Sequence, residues 1–232
     1  MQDKRLLAAA SLIRPGSPVC DVGTDHGYLP VYLIEAGITS RAVACDINEK
    51  PLAAAREHIA AHGLSSRIET VLSDGLANVP PEKARDVVIA GMGGELISRV
   101  VLSCPYSRDS SIRFILQPMT RAAFLRSSLY AAGFSIFREI PVVDGKHRYA
   151  VMQVSYEKEP ETISPLFALV GKIPESRTPD TLPYLMGERN RILKIRNGLL
   201  RSKPSLKQEK QYDALMEGLD RIIEEVLKQC PG

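Results

Sequence analysis

Residues 18–30 read Pro-Val-Cys-Asp-Val-Gly-Thr-Asp-His-Gly-Tyr-Leu-Pro. Val19, Cys20 and Val22 form a short apolar run that Gly23 breaks. A polar loop follows, and Tyr28 to Ala36 then predicts a helix. Pro30 falls in its first turn, where a missing N–H costs nothing. A strand, a glycine turn and a helix start form the arrangement with which open α/β sheets bind nucleotides. The plainer reading is an ordinary strand–helix turn.

The details of the turn separate two classes of ligand. A dinucleotide fold requires G-x-G-x-x-G, so that backbone can approach a pyrophosphate. Here Thr24, Asp25 and His26 stand between Gly23 and Gly27, and the middle glycine is missing. The strand also carries an acid, Asp21. A carboxylate there repels a pyrophosphate but suits the ammonium of a methionine moiety. Residues Asp21 to Gly27 therefore read as the first motif of an S-adenosylmethionine site.

The following strands repeat the pattern. Ala42 to Cys45 ends at Asp46, 25 residues after Asp21, near where Rossmann-like sites place an acid for ribose hydroxyls. Asp46 or Asn48 also suits the N-cap of a helix over Lys50 to His62. Ile47 is then placed to lie against an adenine. Ile68 to Leu72 is followed by Ser73-Asp74-Gly75-Leu76. Asp74 there suits an adenine amino group, although Asp-Gly alone also marks a simple turn. Asp86 to Ala90 is a continuous apolar run, as a strand buried on both faces should be. It leads into Gly91-Met92-Gly93-Gly94, read either as a flexible turn or, preferably, as backbone lining a methyl-transfer site. Arg113 to Leu116 forms a fifth strand, with a helix from Arg121 to Ala132. Ser135 to Val143 and Tyr149 to Tyr156, joined through Asp144-Gly145-Lys146, predict a hairpin. Strand–helix units closed by an antiparallel hairpin match the methyltransferase variant of the Rossmann sheet.

Composition sets the frame. The chain has 232 residues, 44% hydrophobic and 25% charged, with a net charge of +3, ordinary values for a soluble globular protein. Leu6 to Ile13 is too short to span a membrane and reads as an amphipathic helix, with Arg5 solvated or touching a phosphate-bearing ligand. Cys20, Cys45, Cys104 and Cys230 show no C-x-x-C spacing. Cys20 and Cys45 read as buried thiols, with no metal site, in a cytoplasmic protein. Glu157 to Thr162 is a charged linker, which divides the chain into residues 1–156 and a helical tail, residues 157–232. The tail predicts two long helices, about Pro183 to Ser202 and Ser205 to Gln229, meeting near Pro204 in an antiparallel coiled coil. Its seam is Tyr212, Leu215, Leu219, Ile222 and Val226, against Leu185, Ile192 and Leu199 beside Met186, Leu193 and Leu200. Between residues 183 and 210, Arg189, Arg191, Lys194, Arg196, Arg201, Lys203, Lys207 and Lys210 face only Glu188 and Glu209. This one-sided stripe reads either as a solvated face or as a grip for a polyphosphate such as nucleic acid.

Together these residues resemble the bacterial tRNA (adenine-22-N1)-methyltransferases, the TrmK family. The resemblance rests on Lys4-Arg5-Leu6, Asp21 through Pro30, Asp46-Ile47-Asn48, Ser73 to Leu76, Ala90 to Gly94 and Leu116-Gln117-Pro118, and covers most of residues 1–156. Met119 departs from it, since Asn is expected after Leu-Gln-Pro in many members. The resemblance implies methyl transfer from S-adenosylmethionine to N1 of an adenine in tRNA, leaving S-adenosylhomocysteine, with no obligate protein partner. In that reaction Tyr28 is placed to stack on the target base, and Asp25 or His26 to orient its amino group. Scaffold roles also suit these three: Tyr28 in packing, Asp25 as a cap, His26 on the methionine carboxylate. Two alternatives are a methyltransferase acting on a small molecule or protein, and a non-catalytic nucleic-acid-binding protein. The basic stripe disfavours the first, and the acids at three strand ends disfavour the second. The missing glycine and the hairpin ending disfavour a nicotinamide oxidoreductase.

Overall fold

The computed structural model describes residues 2–201 and 205–229. Ser202, Lys203, Pro204 and Cys230 of the sequence reading lie outside the described residues. Within them, β1 (Val19–Val22), β2 (Ala42–Asp46), β3 (Ile68–Leu72), β4 (Asp86–Gly93), β5 (Arg113–Thr120), β6 (Phe134–Asp144) and β7 (His147–Tyr156) form one sheet. Its order is β3-β2-β1-β4-β5-β7-β6. The first five strands pair in parallel, and β7 inserts antiparallel between β5 and β6. This is the Rossmann-like methyltransferase sheet with its terminal hairpin. The order reverses between β1 and β4, so their carboxyl ends open the crevice in which such sheets bind ligands.

Alternation along the strands builds a core on each face. Cys20, Val22, Val87, Ile89, Phe114 and Leu116 bury one side. Val19, Val88 and Ile115 bury the other against Ala9 and Ala10 of α1 (Lys4–Ala10) and Leu29 and Leu33 of α2 (Tyr28–Glu35). The helix α3 (Glu49–Ala61) follows β2. The helices α4 (Gly94–Ser103) and α5 (Ala122–Ala131) follow β4 and β5. Three thiols, Cys20, Cys45 and Cys104, are buried and free, and the Cys20 and Cys45 sulfurs lie 3.6 Å apart.

The strands β4 and β5 run on to Gly93 and Thr120, past their predicted ends at Ala90 and Leu116. Gly91 to Gly93 continues β4 in place of a flexible turn, pairing with Pro118 to Thr120 of β5 through two register shifts. Gly91 makes the irregularity possible, because its φ of +80° is one that residues with a Cβ adopt at a cost. A glycine run read from sequence carries no sign of the partner strand that keeps it extended. The first helix also starts earlier than Leu6, because the Asp3 side chain caps it by accepting from Arg5 N.

The tail consists of α6 (Pro165–Val170), α7 (Thr181–Arg201) and α8 (Leu206–Gln229). Arg189 pairs with Asp220 and Arg196 with Asp213, so seven residues forward on α7 match seven back on α8. The helices are therefore antiparallel in heptad register. Leu185, Ile192, Leu219 and Val226 are buried in the seam. Met186 and Leu200, taken as a second seam row, are instead 50% and 46% exposed, because a two-helix pair buries only one stripe of each. The tail does not stand apart: Leu169, Val170, Ile173, Tyr184 and Leu185 join the same apolar cluster as β4 and β5. Leu166 of α6 packs onto α8 at Gly218, where a Cβ would collide with it. The basic stripe is thinner than its sequence count. Arg189, Arg191 and Arg196 are each engaged by a carboxylate, two of them supplied by α8 beyond the window in which charge was counted.

Candidate active site

A cavity of about 880 Å³ opens at the carboxyl ends of β1, β2, β4 and β5. Of the residues singled out from sequence, Asp21, Gly23, Asp25, Tyr28, Asp46, Gly91 and Met92 line it. Three more belong to the same turn without facing the cavity. Gly23 N and Thr24 N both donate to Cys45 O of β2, at 2.8 and 3.0 Å, which ties the β1 turn to the neighbouring strand. Thr24 is 1% exposed, and its hydroxyl is a close side-chain neighbour of the Asp21 carboxylate. His26 and Gly27 have φ of +56° and +66°, and this tight reversal turns Tyr28 into the opening of α2.

Asp21 is nearly buried. Burial, reinforced by the negative charge of Asp46, pushes its pKa up to about 6. Asp46 is half-buried at the end of β2, where its Oδ1 accepts from Asn48 N at 2.7 Å. That bond starts the turn into α3 and leaves the other oxygen for the cavity. Ile47, 59% exposed, and the exposed Asp74 with Gly75 lie beyond the cavity lining. Register keeps them close, because Asp46 pairs with Leu72 and Ser73 N donates to Asp46 O at 2.9 Å. Gly93 does not reach the cavity either, being held in β4 opposite Thr120.

One rim of the cavity is aromatic. Tyr28 is 50% exposed; its ring centre lies 5.5 Å from that of His26 and 4.9 Å from that of His58, the latter edge-on. The His26 Nε2 lies 3.3 Å from the Asp25 carboxylate. Among the described residues, no three His, Cys, Asp or Glu side chains are grouped to hold a metal, and no helix is long and apolar enough to cross a membrane.

Sequence reasoning missed Gln117 as a site residue. It is fully buried; its Oε1 accepts from Gly91 N at 3.0 Å and its Nε2 donates to Pro118 O at 3.0 Å. It thus fixes the irregular Gly91 backbone at the cavity wall. A buried amide directly after an apolar strand was the available signal. Arg5 also lines the cavity. It is neither free nor plainly solvated: Asp3 accepts from its Nε and Nη2 at 3.1 and 2.6 Å.

The family described as methyltransferase domain matches residues 2–152. The tRNA (adenine(22)-N(1))-methyltransferase of Bacillus subtilis (strain 168) is 32% identical over 149 residues. That match takes in 64% of this chain and 63% of the relative, so in sequence the chain spans under two thirds of its length. The crystal structure of the B. subtilis m1A22 tRNA methyltransferase TrmK superposes with a TM-score of 0.80 at 25% identity, over 96% of this chain and 99% of that one. TrmK of M. capricolum, solved with S-adenosyl-homocysteine, gives 0.77 at 26% identity, over 97% and 99%. The site thus sits on a sheet and tail shared from end to end with these structures, and the chain belongs to the methyltransferase domain family, in its TrmK-like branch.

Proposed function

We propose that this protein transfers a methyl group from S-adenosylmethionine to N1 of adenine 22 in tRNA, in the cytoplasm and without an obligate protein partner. The observation that carries the reading is one cavity joining Asp21 and Asp46, at adjacent strand ends, to Gly91, Met92 and Tyr28.

The residues fit S-adenosylmethionine. Asp21 is a nearly buried carboxylate with no cation paired to it among the described residues, beside the buried Thr24 hydroxyl. A Cβ added at Gly91 would meet nothing within 4 Å, so bare backbone faces open space there. Asp21 would take the ammonium, Asp46 the ribose diol, and Asp74-Gly75 the adenine end, with Ile47 against its face. Thr24 and Gly27 support the methionine end from behind, and Gly93 holds the β4 backbone in place. When bound, the cofactor supplies an electrophilic methyl on a sulfonium.

The chain's own part is positioning. Neutral adenine carries a lone pair at N1, so no residue must remove a proton before transfer, and the cationic product can release an amino proton afterwards. Rate enhancement then comes from alignment and exclusion of water. N1 lies on the pairing edge, so the base must be unpaired or extruded. Tyr28 is placed to stack on it, and the adjoining Asp25 and His26 to hold its amino group. In this reading residues 1–156 perform the chemistry, and residues 157–232 supply tRNA affinity through Lys194, Arg201, Lys207 and Lys210. Nucleoside mass spectrometry of tRNA incubated with protein and S-adenosylmethionine tests the proposal. N1-methyladenosine at one position is expected; methylation of metabolites or protein with tRNA unchanged would overturn it.

A further inference from the structure

A second cavity, of about 370 Å³, lies beside the first. Residues 118–123, from the end of β5 and the start of α5, form one wall, and Glu188 and Arg191 of α7 form the other. The buried Ala150, Leu169 and Tyr184 make an apolar floor. A thin partition separates the two cavities. Arg5 lines the larger one; its Nη1 donates to Met119 Sδ at 2.8 Å, and its guanidinium lies 5.3 Å from the Tyr149 ring centre. Met119 and Tyr149 line the smaller one.

The smaller cavity is rimmed by cations. Arg121 lies 3.2 Å from Glu95, and Arg191 lies 2.7 Å from Glu188, so both are at least partly neutralised. Arg148 has no carboxylate partner among the described residues. It lies against α7 where Gly187 leaves room, since a Cβ there would collide with its guanidinium. Glycine inside a helix is destabilising relative to alanine, and here it lets an exposed, unneutralised guanidinium rest in a fixed place. Such a group, on an exposed residue beside the methyl-transfer cavity, suits a phosphate.

We propose that this groove holds a backbone phosphate of the tRNA strand next to the target adenine, with Arg148 as the principal contact and Arg121 and Arg191 flanking it. The proposal rests on the tRNA reading above. It gives the junction of sheet and tail a task separate from the lysines farther along α7 and α8: to set the register of the strand, so that the target base and no neighbour meets Tyr28.

The test combines Arg148→Ala and Arg148→Lys with tRNA transcripts carrying a single neutral methylphosphonate on either side of the target adenine. Arg148→Ala should weaken tRNA binding roughly tenfold and lower the salt slope of binding by about 1. S-adenosylmethionine affinity and melting temperature should stay at wild-type values, and Arg148→Lys should retain part of the affinity. One of the two methylphosphonates should weaken wild-type binding by the same factor and Arg148→Ala binding hardly at all. Losses that simply add would overturn the proposal, as would an unchanged salt slope. A parallel fall in melting temperature and S-adenosylmethionine affinity would make Arg148 a packing residue between hairpin and α7. Wild-type protein that binds tRNA through Arg148 but transfers no methyl refutes the activity alone. Wild-type protein that methylates tRNA with an Arg148-independent affinity refutes the groove alone.

Discussion

Removing Arg126 should break the joint between the sheet and the tail. Arg126 on α5 and Glu139 on β6 are both fully buried at the side chain and pair there, Arg126 Nε donating to Glu139 Oε1 at 3.0 Å. Arg126 Nη1 also donates to the carbonyls of Ala168 and Leu169 at 2.8 and 2.9 Å, and Glu139 Oε2 accepts from Lys172 N at 2.6 Å. Burial opposes the arginine charge, but Glu139 more than offsets it, so the pKa of Arg126 sits above its ordinary value. Arg126→Met would leave a buried carboxylate with one N–H donor and take the guanidinium donor from two carbonyls at the end of α6. Breaking one side of a buried ion pair costs about 3–5 kcal/mol. At about 2–4 °C per kcal/mol for a chain of this size, the melting temperature should fall by roughly 6–20 °C. Arg126→Met with Glu139→Leu removes the stranded charge and should fall less than Arg126→Met alone. None of these residues lines the large cavity, so S-adenosylmethionine affinity measured below the transition should stay at wild-type level. Differential scanning calorimetry with isothermal titration decides the matter. An Arg126→Met protein melting within about 2 °C of wild type would refute the reasoning.

Asp21 makes S-adenosylmethionine binding pH-dependent. Its folded pKa of about 6 exceeds the ordinary 3.8, so the folded state holds the proton longer than the unfolded one. The ligand-free fold should therefore lose about 3 kcal/mol as pH rises through that window. The ligand ammonium pairs with the carboxylate form, so affinity should rise between about pH 5 and pH 7. Asp21→Asn should flatten both trends in calorimetry, and a wild-type affinity flat across that range would remove Asp21 from the site. Asp46→Ala should lower S-adenosylmethionine affinity roughly tenfold to hundredfold; equal binding by titration would count against the ribose assignment. Tyr28→Phe should keep most of the single-turnover rate and Tyr28→Ala should not, stacking being worth ~1–3 kcal/mol. A folded, cofactor-binding Tyr28→Ala enzyme with wild-type rate would refute the stacking role.

The strands and the acids at their ends were legible in the sequence because both are local. Short apolar runs, those of β1, β2 and β4 closed by Gly or Asp, read as buried strands, and the alternation of the last two segments reads as a hairpin. The heptads of the last two helical segments, with the short connection between them, likewise read as an antiparallel pair. What depended on distant neighbours was not legible. Met92 and Gly93 stay in the strand because β5 pairs with them, and Gln117 holds the N–H of the irregular Gly91. Asp21 becomes a weaker acid because the fold buries it near Asp46. Three arginines of the basic stripe are neutralised by carboxylates that only the fold of the tail, or one helical turn, brings to them. The partition of Arg5, Met119 and Tyr149 joins residues from three separate strands and helices. Local patterning decides which segments form and which face each buries; the charge state and partner of a side chain follow from groups that meet only once the chain has folded.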